Sequence, residues 1–257
     1  MISQAELKRV RALQQKKHRE ESGRVLVQGR KVVAELLGST WRTQALYASD
    51  EAAAWIGKLA KAHSVPVHVL PDFELDRIGT FEVGNELVAV AIAPAAPKFR
   101  PPIHGELMLA LDGIHDPRNM GGLLRIADWF GVKRVVCSPD CMEVYNPKCV
   151  QSTMGSLFRV EVRYTELAPE LSGFVGAGAA VFLADMGGAS AFEKNLLRPA
   201  VLVLGSESHG ISPAVRDVKS TVISIPRIGG AESLNVAMAA AALCSEFARQ
   251  VSHSQAG

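Results

Sequence analysis

No segment of this sequence is both long and apolar enough to cross a bilayer. The longest nearly unbroken apolar stretch runs from Leu234 to Cys244 and is interrupted by Asn235; a spanning helix needs about 20 such residues. The opening residues, Met1-Ile2-Ser3-Gln4-Ala5-Glu6-Leu7-Lys8-Arg9, are polar and soon basic, without the apolar core of a secretory signal. Both absences predict a cytoplasmic protein. Cysteine is scarce, at Cys137, Cys141, Cys149 and Cys244 only. Their spacing matches no zinc pattern and no histidines cluster near them, so no metal site is expected and the thiols read as reduced and mostly buried. There is no internal repeat and no low-complexity tract, and nothing marks a disordered or fibrous chain.

What is present is ordinary for a globular protein with a real core: 48% hydrophobic and 21% charged residues in a chain of 257. That length suits two modest domains or one large one. The net charge of +2 is unevenly spread. Residues 1–31 hold nine Lys/Arg against three Glu, a net of +6, which leaves 19 basic and 23 acidic residues, a net of −4, for the rest. A basic end on a near-neutral chain suits a polyanion contact or a solvated helix face. Lys16, Lys17, Arg19 and Arg30 are the candidate polyanion contacts of that segment.

Hydrophobic periodicity predicts a helix over 4–18, a strand at 25–27, a helix around 32–37 ended by Gly38, a strand at 46–47, a helix over 52–62, a strand over 65–70, a short helix over 72–78 and an apolar strand over 87–92. Four prolines between Ala93 and Pro102 then mark a semi-extended linker. Beyond it come strands at 107–111, 135–137, 158–162, 179–184, 200–204 and 222–225. Helices are expected over 120–130, 147–154 and 234–249. Continuous apolar strands alternating with helices predict a parallel α/β sheet covered on both faces. The expected division is 1–93, a linker over 94–106, and 107–257.

Three segments carry chemistry. Leu111-Asp112-Gly113-Ile114-His115-Asp116-Pro117-Arg118-Asn119-Met120-Gly121-Gly122-Leu123-Leu124-Arg125 reads as a strand, a polar turn and a helix starting at the two glycines, whose free N–H groups could approach a ligand. Arg125 falls off the apolar stripe and faces solvent, a partner or a substrate. Val201-Leu202-Val203-Leu204-Gly205-Ser206-Glu207-Ser208-His209-Gly210 runs a buried strand into a loop bearing a carboxylate. Ser206-x-Ser208-x-Gly210 falls one residue short of a nucleophile elbow, with Asp217 and His253 following in hydrolase order; His253 in a polar tail argues against that reading. Ile223-Ser224-Ile225-Pro226-Arg227-Ile228-Gly229-Gly230-Ala231-Glu232-Ser233-Leu234-Asn235 ends a strand and opens the last helix. Ser233 is its expected N-cap. Asn235, a poor helix former, suggests a task beyond folding. The helix that follows is apolar all round, as a helix buried on more than one side would be, within the chain or at a subunit interface.

Taken together, these segments resemble the SpoU/TrmH family of SPOUT methyltransferases. Asp116-Pro-x-Asn119-x-Gly121…Arg125, Leu204-Gly205-Ser206-Glu207 and Ile225-Pro226…Ser233-Leu234-Asn235 look like its three motifs, in order, and 152–160 adds a milder match. Residues 1–92 look like an L30e-like substrate domain. The resemblance implies a C-terminal sheet threaded into a deep trefoil knot, a homodimer, and S-adenosylmethionine held by loops that match Gly205, Ile225 and Leu234. It carries over Asn119, Arg125, Glu207, Ser233 and Asn235 as catalytic positions. Arg227 departs from the family pattern, where an uncharged residue usually follows the proline, and Gln28 stands where Glu is common.

The expected reaction is transfer of a methyl group to a ribose 2'-hydroxyl of structured RNA, ribosomal RNA of the 23S type before tRNA. Arg125 would stabilise the developing oxyanion, with Asn119, Glu207 and Asn235 orienting the reactants. The alternative is a non-catalytic RNA-binding or ribosome-assembly protein on the same fold.

Overall fold

The computed structural model describes residues 2–81, 84–196 and 198–254. Helices α1 (Gln4–Ala12) and α2 (Lys16–Ser22) lead into β1 (Arg24–Gln28), α3 (Arg30–Leu37), β2 (Thr43–Ala48), α4 (Asp50–Ala62), β3 (Val67–Val69), α5 (Asp72–Ile78) and β4 (Leu87–Ile92). After the proline-rich stretch come β5 (Leu107–Asp112), α6 (Pro117–Trp129), β6 (Arg134–Cys137), α7 (Pro147–Thr153) and a single 3₁₀ turn (Ser156–Phe158). The chain continues with β7 (Glu161–Tyr164), α8 (Leu167–Gly176), β8 (Ala180–Ser190), β9 (Ala200–Gly205), α9 (Pro213–Arg216), β10 (Thr221–Ser224) and α10 (Val236–Ser254). Two compact units result: Met1–Ala95 with Glu143–Arg159, and Ala96–Met142 with Val160–Gly257. The segment carrying α7, which follows the linker by some forty residues, thus counts with the first unit.

The first unit is a four-stranded sheet in the order β1-β4-β2-β3, antiparallel except for β2 against β3. The helix predicted over 4–18 is broken in two. Arg19 reaches back and donates from Nη1 to the carbonyls of Leu13 and Gln14, both at 2.9 Å, so these carbonyls need no continuing helix to satisfy them. The same guanidinium grips Glu143 through Nε at 3.0 Å and Nη2 at 2.5 Å. Arg19 is buried, which corrects its expected role as an RNA contact: it is a structural cation. Trp41 packs edge-on against Phe158, with centroids 5.2 Å apart, and Arg159 pairs with Glu35 at 2.5 Å. These contacts hold 143–159 to the first unit. Within the same unit, buried Gln28 donates to Asn85 and accepts from the Thr80 N–H at 2.9 Å. A Glu at position 28 could not make that donation at neutral pH.

The second unit is a six-stranded sheet in the order β10-β8-β9-β5-β6-β7, parallel throughout. Strand β5 is fully buried and β9 nearly so, as their unbroken apolar runs require. Helix α6 begins at Pro117, earlier than the glycine pair that was expected to open it. Gly121 and Gly122 lie inside the helix, so their role is packing and not ligand approach. A Cβ on Gly122 would stand 3.4 Å from Ala237 Cβ of α10. Helix α10 buries one face only, through Val236, Ala240, Leu243, Cys244 and Phe247, while Met238 is exposed. The strand expected over 158–162 is replaced by the 3₁₀ turn and by β7 three residues later.

Candidate active site

All three motif segments leave the sheet at the carboxyl ends of its parallel strands, the edge where open α/β sheets bind ligands. Strand β5 ends at the buried Asp112, whose Oδ2 accepts the Ser212 N–H at 2.7 Å and so ties the loop beyond β9 to it. Gly113 turns with φ +68° and donates its N–H to Ser138 Oγ at 2.9 Å. Asp116 caps α6, its Oδ1 accepting the N–H groups of Arg118 at 2.7 Å and Asn119 at 3.0 Å, with Pro117 at the first helical position.

This cap sets Asn119 in the first turn of α6, where it joins the other two motifs. Its Nδ2 donates to Glu207 Oε1, and its Oδ1 accepts from Asn235 Nδ2 at 2.9 Å. Asn235 Oδ1 in turn accepts the N–H groups of Ala237 at 2.9 Å and Met238 at 3.4 Å, capping α10. A carboxylate, two amides and a helix terminus therefore form one relay. Each amide has a carbonyl end and an amino end with different partners, so neither can be turned over without two acceptors or two donors meeting.

Glu207 is presented by a tight hairpin. Ser206 and Gly210 exchange both backbone hydrogen bonds, at 3.1 and 2.9 Å. Ser206 Oγ accepts the His209 N–H at 3.1 Å and Ser208 Oγ lies 2.8 Å from His209 Nδ1, so both hydroxyls of the hydrolase-like pattern are committed within the loop. The His253 side chain lies outside the described residues. Gly205 admits no other residue: a Cβ there would stand 2.3 Å from the Gly210 carbonyl carbon.

Strand β8 runs six residues past its expected end, along β10. Gly188 makes this possible, since a Cβ there would meet the Ile223 backbone at 2.7 Å, and its carbonyl accepts from Ser224 Oγ at 2.8 Å. Asp185 pairs with Arg216, and this hydrogen bond holds the Asp185 carboxyl below its ordinary range. Beneath the first loop, Cys141 accepts the Ile114 N–H at 3.2 Å; hydrogen bonding with Cys137 pulls its thiol down to about 7.

Of the expected catalytic residues, the structure thus brings together Asn119, Glu207 and Asn235. Arg125 is exposed on the second turn beyond Asn119 and meets no carboxylate among the described residues. Ser233 is exposed and forms no hydrogen bond among them; the cap it was expected to provide belongs to Asn235. Of the expected RNA contacts, Lys16 and Lys17 are exposed and pair with Glu20 and Glu21 on their own helix, at 3.6 and 3.8 Å. Arg30 is clamped by Glu86 and Glu51, both at 2.7 Å. Sequence reading missed the roles of Asp112 and Ser206, although a polar residue closing a buried apolar strand is a signal for both.

The third loop leaves most of its backbone polar groups open. Among the described residues, 225–234 form no backbone–backbone hydrogen bond, so apart from the Ala231 carbonyl, which accepts from Arg227 at 3.4 Å, and Pro226, which has no N–H, their backbone groups are available. Ile225 is half-buried, and Leu234, Ile228 and Met186 present exposed apolar surface at the same sheet edge. Free backbone groups beside apolar side chains suit a ring with hydrogen-bonding edges and apolar faces.

Residues 106–245 match the SpoU rRNA Methylase family model, and residues 4–89 match the MRM3-like substrate binding domain. An uncharacterized tRNA/rRNA methyltransferase of Mycolicibacterium smegmatis is 30% identical, covering 93% of this chain and 81% of that protein. The 23S rRNA (uridine(2479)-2'-O)-methyltransferase of Streptomyces viridochromogenes is 29% identical over 90% of this chain and 85% of its own length. Among solved structures, a putative RNA methyltransferase of the TrmH family from Porphyromonas gingivalis superposes with a TM-score of 0.85 at 37% identity, covering 97% of this chain and 99% of that one. The SpoU methyltransferase AviRb from Streptomyces viridochromogenes, solved in complex with AdoMet, gives 0.88 at 27% identity over 97% and 98% of the two chains.

Proposed function

The chain belongs to the SpoU rRNA methylase family, and from that premise we propose that it methylates a ribose 2'-oxygen of ribosomal RNA, as a homodimer, in the cytoplasm. RNA 2'-O-methylation with S-adenosylmethionine is the activity of the family. The choice of ribosomal RNA over tRNA is supported by the relative named as a 23S rRNA enzyme, whose length this chain largely covers, and by the match of 4–89 to a substrate binding domain. The trefoil knot of the C-terminal unit is part of the same reading. The homodimer is supported by apolar surface on two touching helices: Trp129 of α6 is 85% exposed and Met238 of α10 is 66% exposed.

The observation that carries the catalytic reading is the relay from Glu207 through Asn119 to Asn235, with Arg125 exposed six residues further along α6 and without an ion pair among the described residues. The cofactor supplies a sulfonium-activated methyl group, held in this reading by Gly205, Ile225 and Leu234. What remains for the protein is to orient a 2'-hydroxyl that is a poor nucleophile while it keeps its proton. Glu207 has one oxygen engaged by Asn119, and its second oxygen accepts from the ribose hydroxyl and takes that proton as the 2'-oxygen gains the methyl group. Arg125 stays protonated in any protein environment and stabilises the charge developing on the 2'-oxygen. Ser233, solvent-facing on the same loop, is a substrate contact in this reading. Lys16 and Lys17 add phosphate attraction from the basic N-terminal segment.

The test is methyl transfer from tritiated S-adenosylmethionine into separate pools of unmodified ribosomal RNA and total tRNA. Label is expected in ribosomal RNA, falling about 100-fold or more with Arg125→Ala at unchanged thermal stability. Label in tRNA alone would overturn the substrate assignment. Near-normal turnover of the variant would remove Arg125 from the mechanism.

A further inference from the structure

The arginines of the second unit fall into two groups. Arg100, Arg134, Arg163, Arg216 and Arg249 each hold a carboxylate. Arg118, Arg125, Arg198 and Arg227 meet none among the described residues. Arg198 precedes β9, at the amino ends of the strands, where it donates to the Gly105 carbonyl at 3.1 Å. Arg118 lies in the first turn of α6 and Arg227 in the loop after β10, both at the carboxyl edge where the motifs converge, while Arg125 stands two turns further along α6. None of the carboxylates in these segments pairs with them among the described residues: Asp116 caps α6, Glu207 accepts from Asn119, and Glu232 is exposed. A guanidinium without a carboxylate partner keeps its donors available for a phosphate.

Within this group Arg227 has a distinctive setting. The loop that carries it is fixed at one end by Ser224 Oγ on the Gly188 carbonyl at 2.8 Å and at the other by the Asn235 cap. Between these anchors it is open. Gly229 and Gly230 have nothing within 4 Å of a would-be Cβ. Arg227 makes one long hydrogen bond, at 3.4 Å, to the Ala231 carbonyl of its own loop. The neighbouring Ile228 is 101% exposed, the most exposed large apolar side chain among the described residues. Among the described residues no contact with the rest of the fold accounts for either side chain, and a cation beside an apolar group is the pair a nucleotide presents partners for: a phosphate and the face of a sugar or base.

We propose that Arg227 and Ile228 form an RNA-contacting tip, in which Arg227 binds a phosphodiester flanking the target ribose and Ile228 packs on the adjoining sugar or base. This rests on the RNA methyltransferase reading above. The tip closes the substrate side of the third loop, while the loop's backbone remains free for the cofactor.

The experiment measures binding of an unmodified large-subunit ribosomal RNA transcript across a salt series, cofactor binding by calorimetry, and methyl transfer, for the full chain and its variants. Arg227→Ala is expected to weaken RNA binding about tenfold and to reduce the slope of log affinity against log salt by about one, with cofactor affinity unchanged. Arg227→Lys should restore most of the slope. Ile228→Ala should weaken binding without altering the slope. An active wild type whose affinity and slope are unmoved by Arg227→Ala overturns the proposal, as does a variant that loses cofactor affinity but keeps RNA affinity. A wild type that labels no RNA pool overturns the methyltransferase reading and the proposal with it.

Discussion

Asn235 caps a helix and holds a partner motif with opposite ends of one amide, and these two tasks can be separated. Asp at this position keeps an oxygen to accept the Ala237 N–H but loses the amino group that donates to Asn119 Oδ1. Asn235→Asp is therefore expected to retain thermal stability, since Asp caps as well as Asn, and to lose most methyl transfer. Asn235→Ala should lose both, with stability lowered by about 1 kcal/mol. Equal losses of stability in the two variants would show that the contact with Asn119 matters to the fold and not to the chemistry. The sequence makes Asn235 conspicuous, because a poor helix former stands where an apolar helix begins. It does not distinguish Asn235 from Ser233 as the cap, because capping is decided by where the chain turns and not by residue type. Arg19 was illegible for a different reason. Among nine basic residues it looks like the others, and its partner Glu143 lies 124 positions away.

At the scale of elements, the strands were the most legible part, because a strand buried on both faces must be apolar at every position. Helix starts were less so. Apolar periodicity begins at Met120, but α6 begins at Pro117, since its first turn is polar and belongs to the site. The glycines show the same limit: two motif glycines look alike in sequence and differ in role. Gly122 lies at ordinary contact distance from Ala237, whereas Gly205 has the Gly210 backbone in the place of a Cβ. Gly122→Ala should thus be tolerated, with helix propensity adding up to about 1 kcal/mol of stability and turnover retained. Gly205→Ala must open the hairpin that presents Glu207 and is expected to abolish methyl transfer. Circular dichroism melts and single-turnover rates on both variants would check this contrast. An active Gly205→Ala enzyme would mean that the Ser206–Gly210 pairing does not position Glu207.

For the whole molecule, the least legible features are those that leave no periodic trace. The proposed knot is a property of threading, and the proposed dimer depends on a second copy. The apolar sequence of α10 nonetheless carries information about the latter. It suggests burial on more than one side, yet within one chain only the face of Val236, Ala240, Leu243, Cys244 and Phe247 is covered. Met238 on the remaining surface, and Trp129 at the end of the neighbouring α6, are the exposed large apolar side chains of these two helices among the described residues. Specific interfaces cover about 800 Å² on each partner and concentrate their affinity in buried aromatic anchors, so Trp129 is the side chain whose burial a second copy would explain. A charge at such a position cannot be desolvated without a partner. Trp129→Glu combined with Met238→Glu is accordingly expected to convert a dimer to a monomer in sedimentation velocity while leaving the far-ultraviolet spectrum unchanged, because neither side chain contributes to the buried core. A wild-type chain that sediments as a monomer at micromolar concentration would leave this apolar face without the proposed partner. A dimer unmoved by the double substitution would place the interface elsewhere on the molecule.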